Sequence, residues 1–206
     1  GVTPEEFALR WHEKYEETFP RFNVEFDNYG HTHDETNTDL TKDIVRALVE
    51  AGYVYEKEIQ VGYDPEADQY LPDRYVEGTC PYCGEHARGD ECDEGCQRHL
   101  EPGEIEDPVS TITGHPAEYR TREHQFLRLS DFQAYLQGFL DRLEGTDNAQ
   151  NQPREWVDGE LQDLCITRDM DWGIDYPSED GDGEDLVLYV WVDAPIEYVS
   201  STKQYS

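Results

Sequence analysis

Cys80-Pro81-Tyr82-Cys83-Gly84, followed after a short spacer by Cys92-Asp93-Glu94-Gly95-Cys96, decides how the whole chain is read. Two thiolates separated by two residues reach one ion across a tight turn. Gly84 permits the left-handed backbone that aims amides at sulfur. The second pair is one residue wider, and Gly95 makes the extra residue tolerable. Four thiolates suit one tetrahedral zinc with Zn–S near about 2.3 Å, and they leave no open position, so the site reads as structural. His86 or His99 could stand in for one thiolate, and disulfides are the competing use. The chain has 5 cysteines, an odd number. Clustering of four in an intracellular-looking chain favours metal. Cys165, in a strand-like run, reads as a small buried apolar residue.

Outward from this cluster, residues 58–122 show short β-like runs rich in Pro and Gly, with no helix-length apolar period. The segments on either side read differently. Thr3-Pro4-Glu5-Glu6 is a helix start with a capping box. Phe7, Trp11, Tyr15 and Phe19 then form an apolar stripe that stops at Pro20. Residues 23–27 alternate as a short strand, and residues 28–35 form a polar loop with Tyr29, His31 and His33. A helix is predicted over 36–51, with Leu40, Ile44, Ala47, Leu48 and Ala51 buried and Gly52 as its stop. Beyond the module, Ser130 and Gln133 suggest a second capping box, with Phe132, Leu136, Phe139, Leu140 and Leu143 as core. Residues 145–152 read as a polar link, Trp156, Leu161 and Leu164 as a short helix, 165–168 as a strand and 178–185 as an acidic loop. Leu186–Val192 is nearly all apolar, as a central parallel strand would be. The expectation is an α/β domain interrupted by a metal-stapled β-rich insertion.

Composition adds the solvent. The 206 residues carry a net charge of −32, from 48 acidic and 16 basic side chains, and only Lys14, Lys42, Lys57 and Lys203 are lysines. Acid spread along a chain with 12% aromatics is not a disordered acidic tail. It fits a protein of salt-accumulating cells, where the screening length falls to roughly 3 Å at 1 M. Such a charge ordinarily opposes nucleic-acid binding, but at molar salt its sign says little. No apolar run reaches about 18 residues and no signal peptide is seen, so no membrane span and a cytoplasmic location are expected. Gly1 is not an initiator Met, and the C-terminal segment stops without closing an element; an interior piece of a longer protein is expected.

Leu71-Pro72-Asp73-Arg74-Tyr75-Val76-Glu77-Gly78-Thr79-Cys80-Pro81-Tyr82-Cys83-Gly84 closely resembles the connective insertion of the methionyl-tRNA synthetases. Residues Phe26–His33 resemble the segment before that insertion, and Ile166-Thr167-Arg168-Asp169 with Asp171-Trp172-Gly173-Ile174 the segment after it. Tyr189-Val190-Trp191-Val192-Asp193-Ala194-Pro195-Ile196 is similar to the family's methionine-pocket strand. The resemblance implies a Rossmann-type class I synthetase catalytic domain (residues 1–56 and 128–206) split by a zinc-knuckle connective insertion (residues 57–127). It implies methionine, ATP and tRNA as partners of the full enzyme, with neither DNA nor membrane. The implied chemistry is activation of methionine to methionyl-adenylate, then transfer to the tRNA 3′ end.

By the same resemblance, Trp191, Pro195 and Tyr198 line the methionine pocket, and Cys80, Cys83, Cys92 and Cys96 hold the ion. Read alone, without the resemblance, Trp191 is better explained as plain core. Aromatic faces do suit a thioether, at roughly 0.3–1.5 kcal/mol per contact. His31, His33 and Arg168 are nucleotide-side candidates, with solvated histidines and an acid-paired arginine as the alternatives. The family's His-Ile-Gly-His and Lys-Met-Ser-Lys-Ser signatures do not occur in residues 1–206, so no catalytic residue is expected within the chain. Glu197 stands where the family has Gly. Ser110 and Thr113 stand where some relatives have a second pair of zinc cysteines, so one zinc is expected. The competing reading is a non-catalytic zinc module contacting tRNA or protein on an α/β scaffold.

Overall fold

The computed structural model describes residues 1–89, 91–98, 100, 103–159, 161–178 and 185–206. His99, and residues 179–184 of the expected acidic loop, lie outside them. Helix α1 (Pro4–Thr18) starts as the sequence predicts, with Thr3 and Glu6 exchanging both capping-box hydrogen bonds. Its aromatic stripe forms, with Phe7 and Tyr15 on either side of Trp11 at ring distances of 6.2 and 5.6 Å. Yet none of its residues is buried. A 3-10 turn (Phe19–Phe22) follows, and Asn23 is left-handed at φ 56°. That bend replaces the strand expected at 23–27; Phe26 instead packs on Phe19 and Tyr29 at 5.0 and 5.1 Å.

Helix α2 (Glu35–Glu50), capped by Asp34, buries Asn37, Thr41 and Val45. The expected face is rotated: Ile44 and Ala47 are exposed. A buried Ser200–Asn37 hydrogen bond of 2.7 Å draws Asn37 inward, a partnership hydrophobic periodicity cannot show.

Strand β1 (Val54–Asp64) turns into β2 (Gln69–Leu71). Next come β3 (Val76–Thr79), β4 (His86–Arg88) and β5 (Glu106–Ser110), an antiparallel sheet in the order β4-β3-β5. Strand β6 (Glu118–Leu127) returns along β1 from Tyr63↔Glu118 to Val54↔Leu127. This two-stranded stalk carries the small sheet. Its core is Leu71, Val76, Cys80, Ala87, Cys92, Leu100, Ile105 and Ala117.

After β6 a 3-10 turn (Leu129–Phe132) leads into α3 (Gln133–Arg142), which has no side-chain cap. The second capping box does not form. Ser130 donates to Asp163 at 2.7 Å and Gln133 to the Val157 carbonyl at 3.0 Å. Of the expected α3 core, only Leu140 is buried. The expected polar link at 145–152 is the start of helix α4 (Asp147–Asp158). Trp156 lies on α4 but is exposed, and Leu164 falls in the following strand.

Strand β7 (Leu164–Cys165) adds to β6, and β8 (Thr167–Arg168) pairs with β9 (Val187–Leu188). Every strand pair among the described residues is antiparallel. The central parallel strand expected over Leu186–Val192 is therefore corrected. Only Val187–Leu188 forms a strand, Tyr189 caps the next element, and α5 (Val190–Tyr205) begins at once. A short apolar run does not by itself separate strand from helix. Here burial ends at Leu188, while Val190 and Trp191 are exposed. Val45, Ile166, Ile174, Tyr176, Leu186 and Leu188 form the second core, which seats β8–β9 against α2.

Candidate functional site

The cysteine pairs converge. The thiol sulfurs of Cys80, Cys83, Cys92 and Cys96 all lie within 4.8 Å of one another. Cys83–Cys92 is 3.6 Å and Cys80–Cys96 is 3.9 Å. A disulfide needs about 2.05 Å, whereas a tetrahedron with metal–sulfur bonds of about 2.3 Å has edges near ~3.8 Å. A β-carbon on Gly95 would come within 2.6 Å of the Cys83 sulfur and 2.9 Å of the Cys92 sulfur, so the cradle requires glycine there. The Glu85 N–H, aimed at Cys83, holds that thiol down to about 7, while burial pushes the Cys92 thiol up to about 11. The donor set fits one tetrahedral metal ion.

A second turn copies the first knuckle without cysteines. Gly84 N–H donates to the Cys80 carbonyl at 2.9 Å, and Gly114 N–H to the Ser110 carbonyl at 2.8 Å. Both glycines are left-handed, at φ 77° and 73°. Where the first turn presents thiols, this one presents the Ser110 and Thr113 hydroxyls to the buried carboxylate of Asp64. The Glu66 and Ala67 N–H groups donate to the same carboxylate at 2.9 and 3.1 Å. The Ser110 hydroxyl leads the donors that hold Asp64 down to about 2.

The other candidates are split by the fold. Trp191, His33 and Arg168 line one cleft of about 420 Å³, at the start of α5. Pro195 and Tyr198 lie on the same face of α5, one and two turns further on, but outside the cleft; Tyr198 is 82% exposed. His31 is also outside it, edge-on to His12 at 5.0 Å, and its pKa is lowered by burial and then by His12. His33 packs 5.4 Å from Trp172. Arg168 lies 4.1 Å over the Tyr189 ring and donates to Asp73, between β2 and β3, at 3.3 Å.

Sequence reasoning did not assign Asp73, Met170, Trp172 or Asp193 to this cleft, which all four line. Trp172 and Asp193 sit inside the stretches quoted for the resemblance, which is the signal that could have found them. Asp193 is 8% exposed, and burial raises its pKa. One helical turn on, both carboxylate oxygens of Glu197 are buried without a hydrogen-bond partner among the described residues. Burial first, then Asp34 and Asp193, push Glu197 up to about 7.

Known proteins resemble the chain over its full length. The Methionine–tRNA ligase of Natronomonas pharaonis is 79% identical across 100% of this chain and 30% of its own length. That of Haloarcula marismortui is 78% identical across 100% of this chain and 29% of its own length. The chain thus spans about 30% of these relatives. The Mycobacterium tuberculosis methionyl-tRNA synthetase in complex with methionyl-adenylate shares the fold, with a TM-score of 0.63 at 22% identity over 98% of this chain and 35% of that one. The family model described as tRNA synthetases class I (M) matches residues 1–206, and the chain belongs to that family.

Proposed function

We propose that the chain is the part of a methionine–tRNA ligase that carries the zinc knuckle and one wall of the methionine pocket. Its whole-length likeness, at 79% identity, to a protein named Methionine–tRNA ligase carries this reading. In the full enzyme the methionine carboxylate attacks the α-phosphate of ATP, releasing pyrophosphate, and the methionyl group then passes to the tRNA 3′ end. Residues 1–56 and 128–206 belong to the catalytic domain and 57–127 to the connective insertion. Zinc is the ion the four thiolates select, as closed four-thiolate sites suit it. The acidic composition and the relatives' source organisms support a cytoplasmic enzyme of salt-rich cells.

The cleft supports this reading over that of a bare scaffold. Trp172 and Trp191 offer aromatic faces and Met170 an apolar one, a lining suited to a thioether chain. Arg168 and His33 add polar groups at its edge. The chain alone is expected not to activate methionine, because neither ATP-site signature occurs in it. Two measurements test the proposal. Methionine added to the folded chain in molar KCl is expected to change tryptophan emission saturably; a flat response overturns the pocket assignment. Methionine-dependent ATP–pyrophosphate exchange by the longer protein tests the reaction.

A further inference from the structure

Residues 167–170 lie between the cleft and the stalk. Arg168 and Met170 line the cleft. Thr167 and Asp169 are instead bound by the stalk strand β6. The buried Thr167 hydroxyl lies 3.0 Å from His124 Nδ1 and accepts the Gln125 N–H at 3.0 Å. Asp169 receives a fork from Arg122, with Nη2–Oδ1 at 2.6 Å and Nε–Oδ2 at 3.3 Å. His124 Nε2 stands 3.2 Å from Asp169 Oδ2, an ion pair rather than an aligned hydrogen bond. The Asp169 side chain is 8% exposed and that of His124 is 2% exposed.

We propose that Arg122 and His124 are positioning residues for the ligand cleft: by clamping Asp169 they hold the 167–170 segment in the register that puts Arg168 and Met170 on the cleft wall. A one-residue slip of a strand exchanges its two faces, and β8 is only Thr167–Arg168, so a clamp on the residue just past its end holds Arg168 on the cleft side. Asp73 anchors Arg168 from the β2–β3 connection at 3.3 Å. The segment is thus gripped by the stalk and by the module the stalk carries. Removing either cation leaves a buried carboxylate under-compensated, a strongly unfavourable state. The nature of the ligand rests on the methionine reading, whereas the positioning rests on geometry alone.

The test uses the 206-residue chain in molar KCl, with the indole N–H signals of Trp172 and Trp191 as reporters of the cleft and methionine as the ligand. His124→Gln, Arg122→Lys and Asp169→Asn are compared with Leu140→Ala, a core change remote from the cleft. Burial opposes charge on His124, but Asp169 and Cys165 outweigh it and push its pKa up to about 9. In the wild type both indole signals are expected to show a step as that proton leaves, above and separate from the titration of Glu197 at about 7. The step disappears in His124→Gln. His124→Gln and Asp169→Asn are expected to move the indole signals at neutral pH and weaken methionine at least about fivefold, a loss of about 1 kcal/mol, with metal content unchanged. Arg122→Lys, which keeps the charge and loses the fork, falls between. Leu140→Ala lowers stability without moving the signals. Indole signals of folded His124→Gln and Arg122→Lys that superimpose on the wild type overturn the proposal; these two decide it if Asp169→Asn fails to fold. A wild type that does not respond to methionine defeats the ligand reading, while the indole pH step still decides the positioning.

Discussion

Gly30 lies so close to Glu197 that a β-carbon on residue 30 would overlap the Glu197 carboxylate. The loop before α2 and the face of α5 therefore meet on a buried acid. The overlap is with the end of a flexible side chain, so Gly30→Ala is expected to cost about 1 kcal/mol in the wild type, the low end for forced overpacking. In a Glu197→Gly background it should cost little. Denaturant unfolding of the four proteins in this cycle checks the coupling.

The same acid sets a pH dependence. Its pKa is raised by burial, Asp34 and Asp193, from 4.5 to about 7. A carboxyl raised in the folded state contributes stability that is fully present below about 4.5 and is lost as pH rises through about 7. Glu197→Gln keeps the neutral form at every pH. Its stability advantage over the wild type should therefore be absent at pH 4.5 and grow up to pH 8. Thermal unfolding against pH at fixed salt measures it, and equal slopes for both proteins would count against a buried neutral acid.

Metal removal should unfold the β4-β3-β5 sheet first. Cys80 and Cys92 are 1% and 0% exposed and sit in the module's core, whereas Cys83 and Cys96 are exposed. Cys80→Ser and Cys92→Ser therefore lose packing as well as a ligand. They should lower the melting temperature more than Cys83→Ser and Cys96→Ser, and Cys165→Ser should leave metal content unchanged. Elemental analysis is expected to find one zinc per chain, released by chelator together with the β4-β3-β5 sheet signals.

Asp64 gathers the cysteine-free turn as a bound metal ion would gather the first knuckle. Asp64→Asn removes two acceptor lone-pair sites from a carboxylate that takes the Ser110 and Thr113 hydroxyls and two N–H groups. Its pKa is depressed from 3.8 to about 2, led by the Ser110 hydroxyl. That contribution is present above about 3.8 and is lost as pH falls through about 2. Asp64→Asn should thus be destabilising at pH 7 and approach the wild type in strong acid. The comparison is made by urea unfolding at several pH values.

What the sequence made legible is the chemistry that acts over a few residues. The Thr3–Glu6 box and the first knuckle are local devices, and both form. The Ser130–Gln133 box has the same spelling but fails, because Asp163, far along the chain, competes for the Ser130 hydroxyl at 2.7 Å. Likewise Ser200 draws Asn37 of α2 inward. The cleft was partly legible: Trp191 and Arg168 stand out by type, but Asp73 reaches Arg168 across 95 positions of sequence. Pairing at such range depends on how β1 and β6 carry the β4-β3-β5 sheet back, which no periodicity encodes.

Salt should act on the whole chain. With a net charge of −32, self-repulsion opposes the compact state, and screening contracts from about 10 Å at 0.1 M to about 3 Å at 1 M. The melting temperature is expected to rise steadily with KCl through this range. Circular dichroism at each salt concentration follows it, and a salt-independent melting temperature would contradict the expectation.

The two aromatic residues assigned to the methionine pocket should separate in a binding experiment. Trp191 lines the cleft, whereas Tyr198, on the same helical face, is 82% exposed and outside it. A thioether–aromatic contact contributes roughly 0.3–1.5 kcal/mol, and about 1.4 kcal/mol is a factor of ten in affinity. Trp191→Ala should therefore weaken methionine by up to about tenfold, and Tyr198→Phe and Tyr198→Ala should be close to the wild type in this chain. Trp172 remains as the fluorescent reporter in all three variants. If Tyr198→Ala proved the more damaging change, α5 would have to turn its outer face toward the ligand. The cleft between Trp172, Met170 and Trp191 would then not be where methionine binds.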